Sequence, residues 1–232
     1  GQIPGTPDLI VKIPTYTSTA ATGDVYQCFT IPSGLLADKF VTGFEAIPGN
    51  PSIVHHVLVY SDTTGKCATL DAATAGPGYP SFGNPGTDSA EMVGIWVPGS
   101  QPMTYHNGFG LRVAANADIV VQVHYPAGSM GQVDSTEIHF FFAPTAVRRV
   151  YIQPLLYHTV PIINTPLTIP ANTVQTFTEE FPPILSLGDL SLLGIFPHMH
   201  LLGKNIKSYG IHPAGDTDRY INIKKWDFHW QG

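Results

Sequence analysis

Proline and glycine punctuate this chain so densely that almost no window is left for a long helix. The 21 prolines and 23 glycines approach one residue in five of the 232. Proline lacks the amide proton that an interior helical position needs, and its ring clashes with the preceding turn. Between the breaks lie short runs of β-branched and aromatic residues, the composition of strands. Val25–Ile31 alternates apolar and polar residues and stops at Pro32. Phe40–Ile47 does the same before the turn sequence Pro48-Gly49-Asn50-Pro51. Ile53–Tyr60, Met92–Val97, Gly108–Val113, Ile119–Tyr125 and Thr136–Phe142 follow at short spacing, and Ala72–Gly86 reads as a long loop. The pattern predicts an all-β chain built as antiparallel sandwiches.

A break near Ala143-Pro144 divides the chain into an N-terminal β-sandwich domain, 1–145, and a C-terminal one, 146–232, both jelly-roll-like. Val150–Pro154, Ile162–Ile169, Thr173–Phe181, Leu190–Phe196 and Ile206–His212 read as strands of the second. This part is short for a sandwich, and its final Trp226-Asp227-Phe228-His229-Trp230 reads as the opening of another strand. The second domain is therefore expected to be incomplete.

Composition excludes several classes. Hydrophobic residues make up 43%, too many for a disordered chain. The formal net charge is −6 with eleven Lys plus Arg and no basic run, which argues against a nucleic-acid partner. No apolar stretch approaches the roughly 18 residues a membrane span needs. A bridge between Cys28 and Cys67 would contribute about 4 kcal/mol in the chain-entropy model. It would also imply an oxidising, secreted or periplasmic setting, with any signal peptide preceding Gly1. Two buried free thiols are the alternative.

Against this apolar background stand three histidine signatures: Ile53-Val54-His55-His56-Val57-Leu58, Val121-Gln122-Val123-His124-Tyr125 and Pro197-His198-Met199-His200-Leu201-Leu202-Gly203. They hold five of the ten histidines. Unpaired buried polar groups are costly, and a metal ion is a common compensation for imidazole. His198 and His200, two apart, would share one face of a strand and reach one ion. His55 and His56 are adjacent and would face opposite sides of a flat strand. For both to bind one ion, the backbone there must bulge, twist or end the strand. With His124 they would make a three-imidazole site suited to copper or zinc. One of the pair needs an acceptor to fix its tautomer, and Gln122, on the face of His124, is the candidate. His106, His139, His158, His212 and His229 stand alone and read mostly as structural or solvated. Trp96, Trp226 and Trp230 read as core.

As an ordered set, Val54–Tyr60, Gln122–Tyr125 and His198–Lys204 closely resemble the copper type II, ascorbate-dependent monooxygenases, the family of peptidylglycine α-hydroxylating monooxygenase and dopamine β-monooxygenase. Tyr26-Gln27-Cys28-Phe29, Gly94-Ile95-Trp96-Val97-Pro98-Gly99 and Gly108-Phe109-Gly110-Leu111-Arg112 match in the same order. The resemblance implies hydroxylation of an activated C–H bond of a small-molecule substrate, with O2 and an ascorbate-type reductant. It implies two copper ions per complete chain. His55, His56 and His124 match the ligands of an electron-transfer copper in the N-terminal domain. His198 and His200 match ligands of the catalytic copper in the C-terminal domain, which the family completes with a downstream methionine. The methionines here are Met92, Met103, Met130 and Met199, and none follows. That ligand is therefore expected to lie outside this chain. A single cysteine pair resembles bacterial relatives more than the animal enzymes, so no peptide or catecholamine substrate is carried over.

The rival reading is a secreted copper-binding β-sandwich protein without oxygenase turnover. A blue-copper carrier needs a cysteine followed closely by His and Met, and neither cysteine has them. A zincin needs H-E-x-x-H, which does not occur.

Overall fold

The structure is a computed structural model that describes residues 2–106, 108–145, 147–153, 167–180 and 191–229. It is an all-β sandwich. One sheet runs in the order β1 (Leu9–Lys12), β12 (Glu137–Phe142), β4 (Lys39–Ile47), β9 (Phe109–Val113), β13 (Arg148–Val150), with β8 (Met103–Thr104) also paired to β4. The other runs β6 (Tyr79–Pro80), β3 (Val25–Pro32), β10 (Asp118–Tyr125), β5 (His56–Asp62), β7 (Glu91–Trp96). The pairings are antiparallel apart from β13 with β9, which is parallel. A short ribbon joins β2 (Tyr16–Thr17) to β11 (Val133–Asp134).

Strand alternation explains the core. On β10, Ile119, Val121, Val123 and Tyr125 point inward, meeting Phe29 of β3 and Val57 and Val59 of β5. Facing them across the sandwich are Val11, Val41, Phe44, Leu111, Val113, Ile138 and Phe140. Each such side chain, fully buried, contributes about 1.5–3 kcal/mol. β10 is central in its sheet, between β3 and β5, and is buried on both faces over most of its length. Its even-numbered residues, Val120, Gln122 and His124, therefore lie on the outer face and are buried as well.

That outer face is covered at one end by a small apolar cluster of Cys28, Tyr60, Cys67, Tyr79 and Val120. Above it sits α1 (Lys66–Ala73), a helix that the sequence reading missed. Its start is set by a local turn: Asp62 Oδ2 accepts from the Cys67 amide at 3.1 Å, and Asp62 Oδ1 from the Thr64 amide at 2.8 Å. The bridge expected between Cys28 and Cys67 is not formed. Both thiols are free and buried. Cys67 donates to the Pro85 carbonyl at 3.3 Å, and Cys28 accepts from the Gln122 amide at 3.5 Å.

A buried carboxylate fixes the entry to β5. Asp134 accepts from the Tyr125 hydroxyl at 2.9 Å, the Thr136 hydroxyl at 2.8 Å and the Asn50 amide at 2.9 Å. The Asn50 carbonyl in turn accepts from the amides of Ile53 and Val54 at 3.1 and 3.3 Å. This turn consumes the first residues of the predicted strand, so β5 begins at His56 rather than Ile53.

The sequence reading divides the chain between 145 and 146. The compact units run differently: the first comprises Gly1–Ile152, His198–Ile206 and Ile223–Gly232, and the second Gln153–Pro197 and Lys207–Asn222. Among the described residues the second unit carries most of the two-stranded sheet of β14 (Ile206–Ile211) and β15 (Thr217–Ile223). Of the predicted strands Thr173–Phe181 and Leu190–Phe196, residues 173–180 show only a bridge at Glu179 and residues 191–196 no strand. Residues 162–166 of the predicted strand Ile162–Ile169, Pro154, Phe181, Leu190, His158 and Trp230 lie outside the described residues. No helix among the described residues is long and apolar enough to cross a membrane.

Candidate metal centre

Register places three aromatic rings in a row across the outer face of the second sheet. His124 on β10 is directly opposite Tyr26 on β3 and His56 on β5. His55 lies just ahead of β5, and its amide donates to the His124 carbonyl at 2.9 Å. The strand thus starts between the two adjacent histidines. This is the backbone break that lets both imidazoles face one point.

They do so through the same ring atom. His55 Nδ1 is 3.3 Å from His56 Nδ1 and 3.0 Å from His124 Nδ1. A neutral imidazole nitrogen carries one proton or one lone pair, so His55 Nδ1 cannot satisfy both neighbours by hydrogen bonding. Nitrogens bound at about 2.0–2.1 Å to a common ion stand about 2.9 Å apart in a square and about 3.3 Å apart in a tetrahedron. The observed separations fit such a donor set.

His198 and His200 form a second pair, in a segment without regular secondary structure, where the sequence reading expects a strand. Their Nε2 atoms are 3.1 Å apart. Both belong to the same compact unit as the first three. The His198 ring centroid is 4.7 Å from that of His56, and the His200 ring stacks on His124 at 5.0 Å. His55, His56, His198 and His200 each offer a ring nitrogen within 4.8 Å of the others. His124 stands outside that group of four but meets it through His55 Nδ1 at 3.0 Å, so the five predicted ligands lie in one compact unit, whereas the sequence reading distributes them between two domains.

The walls are aromatic. Phe228 stacks on His55 with centroids 3.9 Å apart. Tyr26 stacks on His124 at 4.2 Å, and its hydroxyl lies 3.5 Å from His200 Nδ1. Gly203 turns the chain after His200, where a Cβ would stand 2.9 Å from both Met199 and Trp226. Trp226 is buried there, in line with its reading as core.

Burial makes the imidazoles neutral. Desolvation, reinforced by the neighbouring His124, His198 and His200, pulls the pKa of His55 from 6.5 to about 3. Desolvation first, then the other histidines, holds His56 well below the ordinary value. For His124 desolvation outweighs the opposing bond from Asp24, leaving a pKa of about 4. A neutral ring is the form that ligates metal.

Gln122, expected to orient His55 or His56, is turned elsewhere: His55 bonds the Phe228 backbone, and the carboxylate acceptor found at the site, Asp24, serves His124. Asp24 Oδ2 lies 3.0 Å from His124 Nε2. Gln122 does share the face of His124, but its amide turns toward the carbonyls of Ser81 at 3.0 Å and Asn84 at 3.3 Å. Sequence reasoning missed Asp24 and Phe228. For Asp24 a signal was available in principle, since it stands two residues before Tyr26, on the same strand face. Of the lone histidines, His106, His212 and His229 are exposed. His139 sits between Glu45 and Glu137, 3.7 and 3.4 Å away.

No protein-family model matches the chain, and no curated protein matches it.

Proposed function

We propose that this chain is a copper-binding oxidoreductase of the type II, ascorbate-dependent monooxygenase kind. The observation that carries the reading is the convergence of five imidazoles from three distant segments, three through Nδ1 and two through Nε2. His55, His56 and His124 would hold one ion, and His198 and His200 would be ligands to a second. Copper, when bound, supplies one-electron chemistry and the capacity to activate O2. Imidazole suits copper in both of its common oxidation states.

The chain's own residues supply the rest. The inner sandwich core fixes β3, β10 and β5, and with them the row Tyr26–His124–His56. The low imidazole pKa values keep lone pairs available at neutral pH. Phe228 and Tyr26 exclude water from the flanks of His55 and His124. A small-molecule substrate and an ascorbate-type reductant follow from the resemblance, as does a secreted or periplasmic setting.

Metal titration followed by paramagnetic resonance tests the reading. Copper should bind with type II spectra, one ion held firmly by this chain and about two by a complete one, which should consume O2 when ascorbate is supplied. His198→Ala should abolish that uptake while the fold persists. Binding of zinc alone, or of no metal, refutes the copper assignment. Unchanged O2 uptake in His198→Ala refutes the catalytic one. Copper binding with no uptake in the unaltered protein would favour a copper-binding sandwich without turnover.

A further inference from the structure

We infer that Asp24 is a positioning residue that forces His124 to present Nδ1, and not Nε2, as its donor atom. The inference rests on the metal-centre reading and adds the device that sets it. Asp24 immediately precedes β3 and stands diagonal to His124 across the β3–β10 pair, the relation that brings side chains on one sheet face within reach. Oδ2 is 3.0 Å from His124 Nε2, while Oδ1 accepts from the Ala127 amide at 3.0 Å. Each carboxylate oxygen thus has its own donor. One of them is backbone in the turn just after β10, which anchors the carboxylate independently of the histidine. Tyr26, stacked at 4.2 Å and 11°, fixes the plane of the same ring.

A carboxylate can only accept, so Nε2 must carry the proton and Nδ1 the lone pair. Nδ1 is the atom that lies 3.0 Å from His55 Nδ1. The reversed tautomer would put an N–H into the centre of the donor set. His124 is fully buried, so no water is at hand to reorient it. Partners of this kind around metal-bound histidines are worth about 10–100-fold in metal affinity.

Asp24→Asn is the informative change because asparagine has one acceptor oxygen for two donors. With that oxygen kept by Ala127, the amide N–H2 faces Nε2 and favours the reversed tautomer. Two-bond proton–nitrogen spectra of the metal-free protein read the tautomer directly, and a chelator-competition titration reads copper affinity. The expected result is Nε2–H in the unaltered protein and Nδ1–H in Asp24→Asn, with copper bound about 10–100-fold more weakly. Asp24→Glu should recover part of that loss. An Nδ1–H tautomer in the unaltered protein overturns the inference without reference to any variant. So does an Asp24→Asn protein that keeps both tautomer and affinity. If the unaltered protein binds no copper, the metal-centre reading fails, while the tautomer still decides whether Asp24 sets the ring.

Discussion

Acidification of the metal-free protein should unfold it in a window that the buried histidines define. Unfolded imidazoles protonate near 6.5, whereas His55 and His124 in the fold do so only at about 3 and about 4. Their folded pKa values are depressed, so the unfolded state binds more protons as the pH falls. The stability they permit is present above pH 6.5 and is lost on the way down toward 4. At pH 5 each imidazole is 1.5 units below its unfolded pKa, a cost of about 2 kcal/mol at 1.36 kcal/mol per unit. The two together remove about 4 kcal/mol, and His56 acts in the same direction. Native domains hold only about 5–15 kcal/mol, so the loss is a large fraction of the whole. Asp118, shifted upward by burial and then by Asp62, and His212, raised by Asp218, act in the opposite sense within this window, so the histidine contribution is read by difference against a histidine variant. Asp24 and Asp62 are shifted downward from 3.8 and begin to act only below it. Urea midpoints of metal-free protein at pH 7.5 and 5.0 measure the effect. His124→Gln should reduce the pH dependence by about one proton. A loss below about 1 kcal/mol, or the same dependence in His124→Gln, would refute the account of three neutral, desolvated rings.

Other consequences concern the scaffold. Gly94→Ala would place a Cβ 2.3 Å from the ring of Phe44, which is itself in the core, so the stability read from urea unfolding should drop by about 1–3 kcal/mol. A midpoint equal to that of the unaltered protein would contradict the packing there. Tyr125→Phe removes the hydroxyl that donates to Asp134 at 2.9 Å and should cost about 2 kcal/mol, read by the same denaturation assay. An effect under about 0.5 kcal/mol would show that the bond contributes little. Burial pushes the Cys28 thiol up to about 12 and the Cys67 thiol up to about 11. A thiol reagent at neutral pH should therefore label neither quickly in the native protein and both after denaturation without reductant. Failure to find two thiols after denaturation would restore the bridge.

Much of the sandwich was legible because alternation is a local signal. Val25–Pro32, Lys39–Ile47, Glu91–Trp96, Phe109–Val113, Asp118–Tyr125 and Glu137–Phe142 all lie within a residue or so of their predicted bounds. Part of what escaped depends on contacts distant in sequence. The run Ile53-Val54-His55 is as β-prone as any strand, yet Asn50, held by Asp134 from 84 residues away, keeps it in a turn. The helix Lys66–Ala73 escaped for a local reason: it starts at Gly65 without a capping side chain, and its support from Asp62 spans only five residues. Polar β15, Thr217–Ile223, has too little apolar alternation to stand out. At the site, residue chemistry pointed to all five histidines. Their gathering into one unit, and the partnership of Asp24 with His124, depend on strand register and on the course of residues 198–206, which no local pattern encodes.

The position of His124 explains why site and scaffold must be considered together. The central strand of a five-stranded sheet is the most rigid place to mount a ligand, and it is also the place where an imidazole is most fully stripped of water. The neighbouring half of that same face solves the problem with apolar residues, Val120 against Cys28 and Tyr79. The histidine end cannot. There the rings are kept neutral by desolvation, and His55 Nδ1 faces the Nδ1 atoms of both His56 and His124, which one nitrogen cannot satisfy together by hydrogen bonding. Such an arrangement opposes folding in the metal-free protein and is relieved by an ion that accepts all three lone pairs. Metal affinity and folding stability are then two measures of one free energy. The rigid sandwich core beneath, with Val57, Val121 and Val123 fully buried, is what allows the strands to hold that geometry before any ion arrives.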